Sequence, residues 1–122
     1  MFSDAVLDHF SHPRNVGRLA SADFTTEACN PVCGDMLELS VRMDGDRIAG
    51  IGFLCRGCTT AIACASLLTS EMVAQPVEKC RPITAESLSA ALGGLPAATF
   101  HGAQLAEEAL RAFLKKYADS KR

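Results

Sequence analysis

The sequence predicts an α+β domain, a small antiparallel three-stranded sheet with helices packed on one face. Three observations carry this reading. Apolar residues alternate with period two from Met36 to about Phe53, a change to helical spacing follows Cys58, and a run of amphipathic segments fills the rest of the chain. At 122 residues, 48% of them hydrophobic, the chain supports one core and is too short for two, so residues 1–122 are expected to form a single domain.

The elements follow in order. In "SDAVLDHF" a Ser3 or Asp4 cap precedes Val6, Leu7 and Phe10 on one face, which predicts a helix over 3–10 that Pro13 ends. The segment "HPRNVGRLASAD" is rich in turn formers and reads as a loop, with His9 and His12 at its start. Residues 24–28 give a weak third strand. Leu37, Leu39, Val41 and Met43 alternate with Glu38, Ser40 and Arg42, "DGD" makes the turn, and "RIAGIGFL" returns with Ile51 and Phe53 facing one way. "TTAIACASLLTSEMVA" reads as a helix capped by Thr59 or Thr60, with Ile62, Ala65, Leu68 and Met72 on one stripe, and Gln75-Pro76 closes it. A short helix over 77–81 and another after Thr84 end at Gly93-Gly94. The last helix, from about Ala103 to Tyr117, sets Leu105, Ala106, Ala109, Leu110, Phe113, Leu114 and Tyr117 against Glu107, Glu108, Arg111, Lys115 and Lys116.

Twelve basic and 14 acidic residues leave a formal charge of −2, and neither sign forms a run, so nucleic acid and anionic membranes are not expected partners. No stretch approaches the ~18 uninterrupted apolar residues of a membrane span, and "MFSDAVLDHF" carries acids where a secretion signal starts basic. A soluble cytoplasmic protein is the expectation.

Six cysteines without a secretion signal point to metal or sulfur chemistry rather than a disulfide framework. Three junctions carry the reactive residues. "NPVCGD" presents Cys33 and Asp35 in the turn before the first hairpin strand, "CRGCTT" sets Cys58 near a helix N-terminus where amides stabilise a thiolate, and His101 opens the last helix. If these loops converge, two thiolates, an imidazole and a carboxylate complete a tetrahedral shell for zinc, or most of an iron-sulfur site. Taken singly, His101 reads as a capping histidine and Asp35 as a turn aspartate, while Cys64 and Cys80 read as packing residues. Cys29, Cys33, Cys55 and Cys58 form a rival set, because CxxxC and CxxC about a strand pair resemble a zinc ribbon; the alternation that makes Cys55 part of a strand argues against it.

The segments "HPRNVG", "CNPVCGD", "GCTTAIACASLLT" and "LPAATFHGAQLAEEAL", in this order, resemble the IscU/NifU-type scaffolds of iron-sulfur cluster assembly, from His9 to about Tyr117. The interval from Cys58 to His101 resembles the short IscU form, and "NPVCGD" resembles SufU and NifU. The resemblance implies a single NifU N-terminal (IscU-like) domain of IscU/SufE-like fold. Its site residues would be Cys33, Asp35, Cys58 and His101, binding zinc, iron or a 2Fe-2S cluster. It implies a carrier rather than a turnover enzyme, taking sulfur from a cysteine desulfurase and passing clusters to acceptor apoproteins. Two departures stand out. The family's third cysteine should fall at 102, where this chain has Gly102, so a cluster needing three thiolates would have to use His101, Asp35 or an extra cysteine such as Cys29 or Cys55. The chaperone motif Leu-Pro-Pro-Val-Lys is "LPAAT" here, which weakens the case for an Hsp70-type partner. Two alternatives follow from the lost thiol: a SufU-like zinc-dependent sulfur-transfer partner of a desulfurase, or a degenerate metal-free interaction domain.

Overall fold

The alternating segments pair into one antiparallel sheet in the order β1 (Phe24–Cys29), β2 (Met36–Asp44), β3 (Arg47–Arg56). The computed structural model describes residues 2–31 and 34–121. Period two decides the faces: Leu37, Leu39 and Val41 of β2 are buried, and Leu39 and Val41 stand opposite the buried Phe53 and Ile51 of β3. On the other face Glu38 is held by Arg18 through two bonds of 2.7 and 2.9 Å. The weakly signalled β1 forms because its partner is strong, pairing from Phe24↔Val41 to Cys29↔Met36.

Five helices complete the fold among the described residues: α1 (Asp4–Ser11), α2 (Thr59–Met72), α3 (Val77–Cys80), α4 (Ala85–Ala91) and α5 (His101–Ser120), with a 3-10 turn over Ala97–Thr99. Helix α5 lies on β1 and β2, α2 lies on β3 and against α5, and α1 packs on α2. Helix α2 is therefore covered on most sides, and Ala61, Ala63, Cys64, Ala65, Leu68 and Met72 are all buried. Cys64 and Cys80 are core residues, as their positions predict. The apolar stripe of α5 seats Phe113 edge-on to Phe24 at 5.7 Å, with Tyr117 beside it. Arg111 donates to the carbonyls of Arg81 and Ile83, and Glu107 accepts the Ala85 amide, so α5 also fixes the α3–α4 segment.

Three expectations need correction. The residue capping α2 is Cys58, without a side-chain cap bond, rather than Thr59 or Thr60. The cause is length: β3 runs to Arg56, leaving only Gly57 and Cys58 to turn the chain. Helix α5 starts at His101 instead of Ala103, because the 3-10 turn and an already helical Phe100 lead straight into it. Leu7 and Phe10 are 45% and 40% exposed, since α1 buries only Val6.

The "HPRNVG" loop has a structural task. Ser66 Oγ of α2 accepts the Arg14 amide at 2.9 Å and pairs with His9 Nδ1 at 2.8 Å, and Asn15 Nδ2 reaches Thr69 Oγ1. The Gly17 amide donates to the Phe53 carbonyl and the Phe53 amide to that of Asn15, which covers part of the open edge of β3. Gly17 is favoured by its φ of +116°, whereas Gly52 is required by the close approach, since a Cβ there would fall 2.2 Å from the Gly17 carbonyl oxygen.

Candidate metal centre

Three junctions meet at one end of the sheet. Asp35 immediately precedes β2, Cys58 bridges β3 and α2, and His101 is the first residue of α5. The approach to β2 is a tight return: the Gly34 amide donates to Asn30 O, the Asn30 amide donates to Asp35 O, and Gly34 takes φ +76°. Because Met36 is opposite Arg56 in the β2–β3 register, Asp35 lies beside Gly57. The contact is intimate, since a Cβ on Gly57 would stand 3.0 Å from Asp35 Cγ and 3.1 Å from Oδ2.

Cys58 Sγ lies 3.7 Å from His101 Nε2, and His101 Nε2 lies 3.7 Å from Asp35 Oδ2. All three donor atoms fall within 4.8 Å of one another. A tetrahedral ion with metal–sulfur bonds of ~2.3 Å and metal–nitrogen bonds of ~2.0 Å separates its donors by roughly 3.5 Å, so the set matches the edges of one coordination shell. Asp35 Oδ2 tests the fit. It is buried without a hydrogen-bond partner among the described residues, and the Asp35 side chain is only 12% exposed. An unsatisfied carboxylate oxygen out of water is costly, and a cation between it, the imidazole and the thiolate removes that cost. Helices α2 and α5 both begin at the site, so two helix N-termini favour anionic groups there.

Of the residues singled out from sequence, Asp35, Cys58 and His101 come together, and Cys33 lies outside the described residues. Cys29 and Cys55 do not join the set, and Cys29, Cys55 and Cys58 form no zinc-ribbon cluster among the described residues. Cys55 is half-buried in β3, where burial first, then the charges of Asp35 and Cys58, push its thiol up to about 12. Burial also pushes Cys64 up to about 12, with Cys58 and Cys55 adding to it. Cys29 is exposed and points its thiol at Glu27 Oε1, 3.6 Å away. Sequence reasoning missed Gly57, which makes room for the carboxylate; the small residue between Arg56 and Cys58 was the available signal. It also missed that Gly102 is buried against α2.

The family model for the NifU-like N terminal domain matches residues 1–122. An iron-sulfur cluster assembly scaffold protein IscU 1 of Archaeoglobus fulgidus is 40% identical over 117 residues, covering 96% of this chain and 76% of that protein. The scaffold protein IscU of Azotobacter vinelandii is 34% identical over 124 residues, covering 98% and 96%. Among solved structures, the putative SUF-system scaffold of Fervidobacterium islandicum superposes with a TM-score of 0.65 at 20% identity, covering 93% of this chain and 88% of the other. The N-terminal part of a NifU-like protein from Brucella abortus gives 0.64 at 14%, covering 88% and 76%. At such identities these structures bear on the fold.

Proposed function

Since the chain belongs to the NifU-like N-terminal domain family, we propose that it acts in iron-sulfur cluster assembly as a scaffold or carrier. In this reading Asp35, Cys58 and His101 hold iron or zinc, Cys33 in the adjacent loop supplies a further thiolate, and sulfur arrives from a cysteine desulfurase for delivery to acceptor apoproteins. The protein holds and passes on its cargo and turns over no substrate of its own. Its setting is the cytoplasm, where thiols stay reduced; no helix of the described residues is long and apolar enough to cross a membrane.

The observation that carries the reading is the buried Asp35 Oδ2, without a hydrogen-bond partner among the described residues, facing a thiol and an imidazole at bonding-shell spacing. Each residue has a distinct task. Cys58, exposed at the head of α2, offers a sulfur donor that an incoming persulfide can reach. His101, 31% exposed, adds a neutral nitrogen donor from a rigid helix. Asp35 is the hardest donor of the set and therefore the weakest toward a soft cation, which suits a site that must release what it holds.

One feature favours the SufU-like alternative, a zinc-bearing sulfur acceptor: Gly102 stands where the family has a cysteine, leaving fewer thiolates for a cluster. Both readings share a test. Anaerobically purified protein is assayed for bound metal, and the turnover of a cysteine desulfurase is followed with and without it. Near-stoichiometric metal, and a rise in turnover that Cys58→Ser abolishes, are expected. Absence of bound iron or zinc together with an unchanged desulfurase rate overturns the proposal. Cluster absorbance after adding iron separates the scaffold from the acceptor.

A further inference from the structure

Strand β1 is outermost in the sheet. Asn15 and Gly17 cover part of the β3 edge, whereas at β1 the guard is Lys116 of α5, whose Nζ donates to Thr25 O at 2.8 Å. The Asn30 amide donates to Asp35 O, so counting back along the register turns the backbone groups of Ala28, Thr26 and Phe24 toward β2 and those of Cys29, Glu27 and Thr25 outward. These last three residues are exposed, and outward edge groups are a template for another strand.

Helix α5 walls two hollows along this edge, of about 480 and 700 Å³. Cys29, Glu108 and Arg111 line the first, and Thr26, Glu27, Glu38 and Lys115 line the second. Thr26 is buried toward α5, while Glu27 and Glu38 pair on the opposite face, so an occupant in reach of all three lies along the edge with side chains alternating to either face. Thr26 Oγ1 is buried without a hydrogen-bond partner among the described residues, and a cross-strand threonine or serine satisfies such a hydroxyl. Charge decides the kind of strand. Arg111 bonds the carbonyls of Arg81 and Ile83, Lys115 pairs with Asp119 at 3.5 Å and Lys116 holds Thr25 O, so the cations of the groove are engaged. Glu27 and Glu108 are exposed carboxylates, and the contact of Glu27 is the weakly donating Cys29 thiol.

We propose that the β1 edge docks an extended, basic, hydroxyl-bearing segment of a partner protein, which adds to the sheet as a fourth strand beside α5. Main-chain bonds to Thr25, Glu27 and Cys29 hold it, a lysine or arginine opposite Glu27 and a threonine or serine beside Thr26 select it, and Lys116 gives up Thr25 O to an incoming amide. The site needs no metal, so it stands independently of the proposed function. Asn30 and Pro31 at one end of the groove belong to the return that leads to Asp35, which brings a docked partner beside the metal centre.

The test follows backbone amide resonances of the isotope-labelled full chain on titration with a short capped peptide that alternates lysine with threonine. Saturable shifts are expected at Thr25, Glu27 and Cys29 and on the facing side of α5. The same peptide N-methylated throughout keeps its charge and loses its strand bonds, a glutamate-for-lysine peptide does the reverse, and each is expected to bind ~10-fold or more weakly. Glu27→Lys is expected to weaken the lysine peptide comparably, whereas Lys116→Ala, which clears Thr25 O, leaves it bound as tightly or more so. Glu27→Pro removes an outward N–H where an edge strand tolerates proline and is expected to abolish binding; if it does not fold, Glu27→Lys and the N-methylated peptide decide. Equal binding of the N-methylated peptide reduces the effect to charge attraction and overturns the proposal. Shifts confined to other surfaces, or none at ~1 mM peptide, do the same. So does a dimer in sedimentation that Glu27→Pro dissociates, since the edge then belongs to a second copy of the chain.

Discussion

Cys58 and His101 are 43 residues apart in the chain, and Cys58 Sγ stands 3.7 Å from His101 Nε2. That proximity is imposed by the packing of α2 on α5, since each residue sits at the first turn of its helix. Metal-free protein therefore already holds these donors in place, and metal binding adds to stability instead of creating the fold. Zinc at a hundredfold excess over its dissociation constant stabilises by about 2.7 kcal/mol, a rise of ~10 °C for a domain of this size. His101→Ala and Asp35→Ala are each expected to lose at least half of that rise. Asp35→Ala is expected to leave the metal-free melting temperature no lower than wild type, since Oδ2 has no hydrogen bond to lose among the described residues. Calorimetry with and without zinc checks both. A full zinc-induced rise in the two variants sinks the assignment.

Gly57 sets the position of the carboxylate. Gly57→Ala places a methyl 3.0 Å from Asp35 Cγ and from Ala61 Cβ, and Asp35 is the group with freedom to swing away. Zinc affinity is expected to fall 10- to 100-fold, the usual range for disturbing the supports of a metal ligand. Competition titration against a colorimetric chelator reads the change. An unchanged affinity means that the carboxylate does not bind the ion.

The cysteines divide by burial. Cys58 and Cys29 are exposed, whereas Cys64 and Cys80 are buried, with thiols that burial chiefly pushes up to about 12 and about 11, and half-buried Cys55 is also raised to about 12. Iodoacetamide at pH 8 is expected to label Cys58 quickly and Cys55, Cys64 and Cys80 slowly, because the thiolate is the reacting species. Bound zinc is expected to protect Cys58 and leave Cys29 reactive. Peptide mass mapping of the alkylated sites decides, and rapid labelling of Cys58 in the zinc-loaded protein rules out its role as a ligand.

The strands of the hairpin, α2 and α5 were legible because their apolar periods are long and unbroken, and Asp35, Cys58 and His101 were legible because each marks a junction between such elements. What the sequence hid was distance. Nothing in "RGC" says that a carboxylate leans on the glycine, and "HG" reads as a deletion of a thiol until the backbone of α2 is found against it. Close backbone approach leaves no periodic trace, since it depends on which helices meet. The extent of burial on α1 was hidden for the same reason: the sequence puts Val6, Leu7 and Phe10 on one face, yet of the three only Val6 is buried.

The "HPRNVG" loop carries a pH dependence separate from the metal centre. Burial first, then the positive charge of Arg14, lowers the pKa of His9 from its usual 6.5, with Asp8 opposing, while Ser66 Oγ holds Nδ1 at 2.8 Å. Above 6.5 the ring is neutral in both folded and unfolded chains and stability is unaffected. As pH falls below 6.5 the unfolded chain takes up a proton that the native ring resists, so stability declines until the lower native pKa is passed and then levels off. His9→Gln removes this titration. Urea midpoints at pH 7.5 and 5.5 are therefore expected to differ more in wild type than in His9→Gln, and equal differences would show that His9 titrates alike in both states. The effect acts through α1 and Ser66 on the flank of α2, so it is expected in the metal-free protein as well.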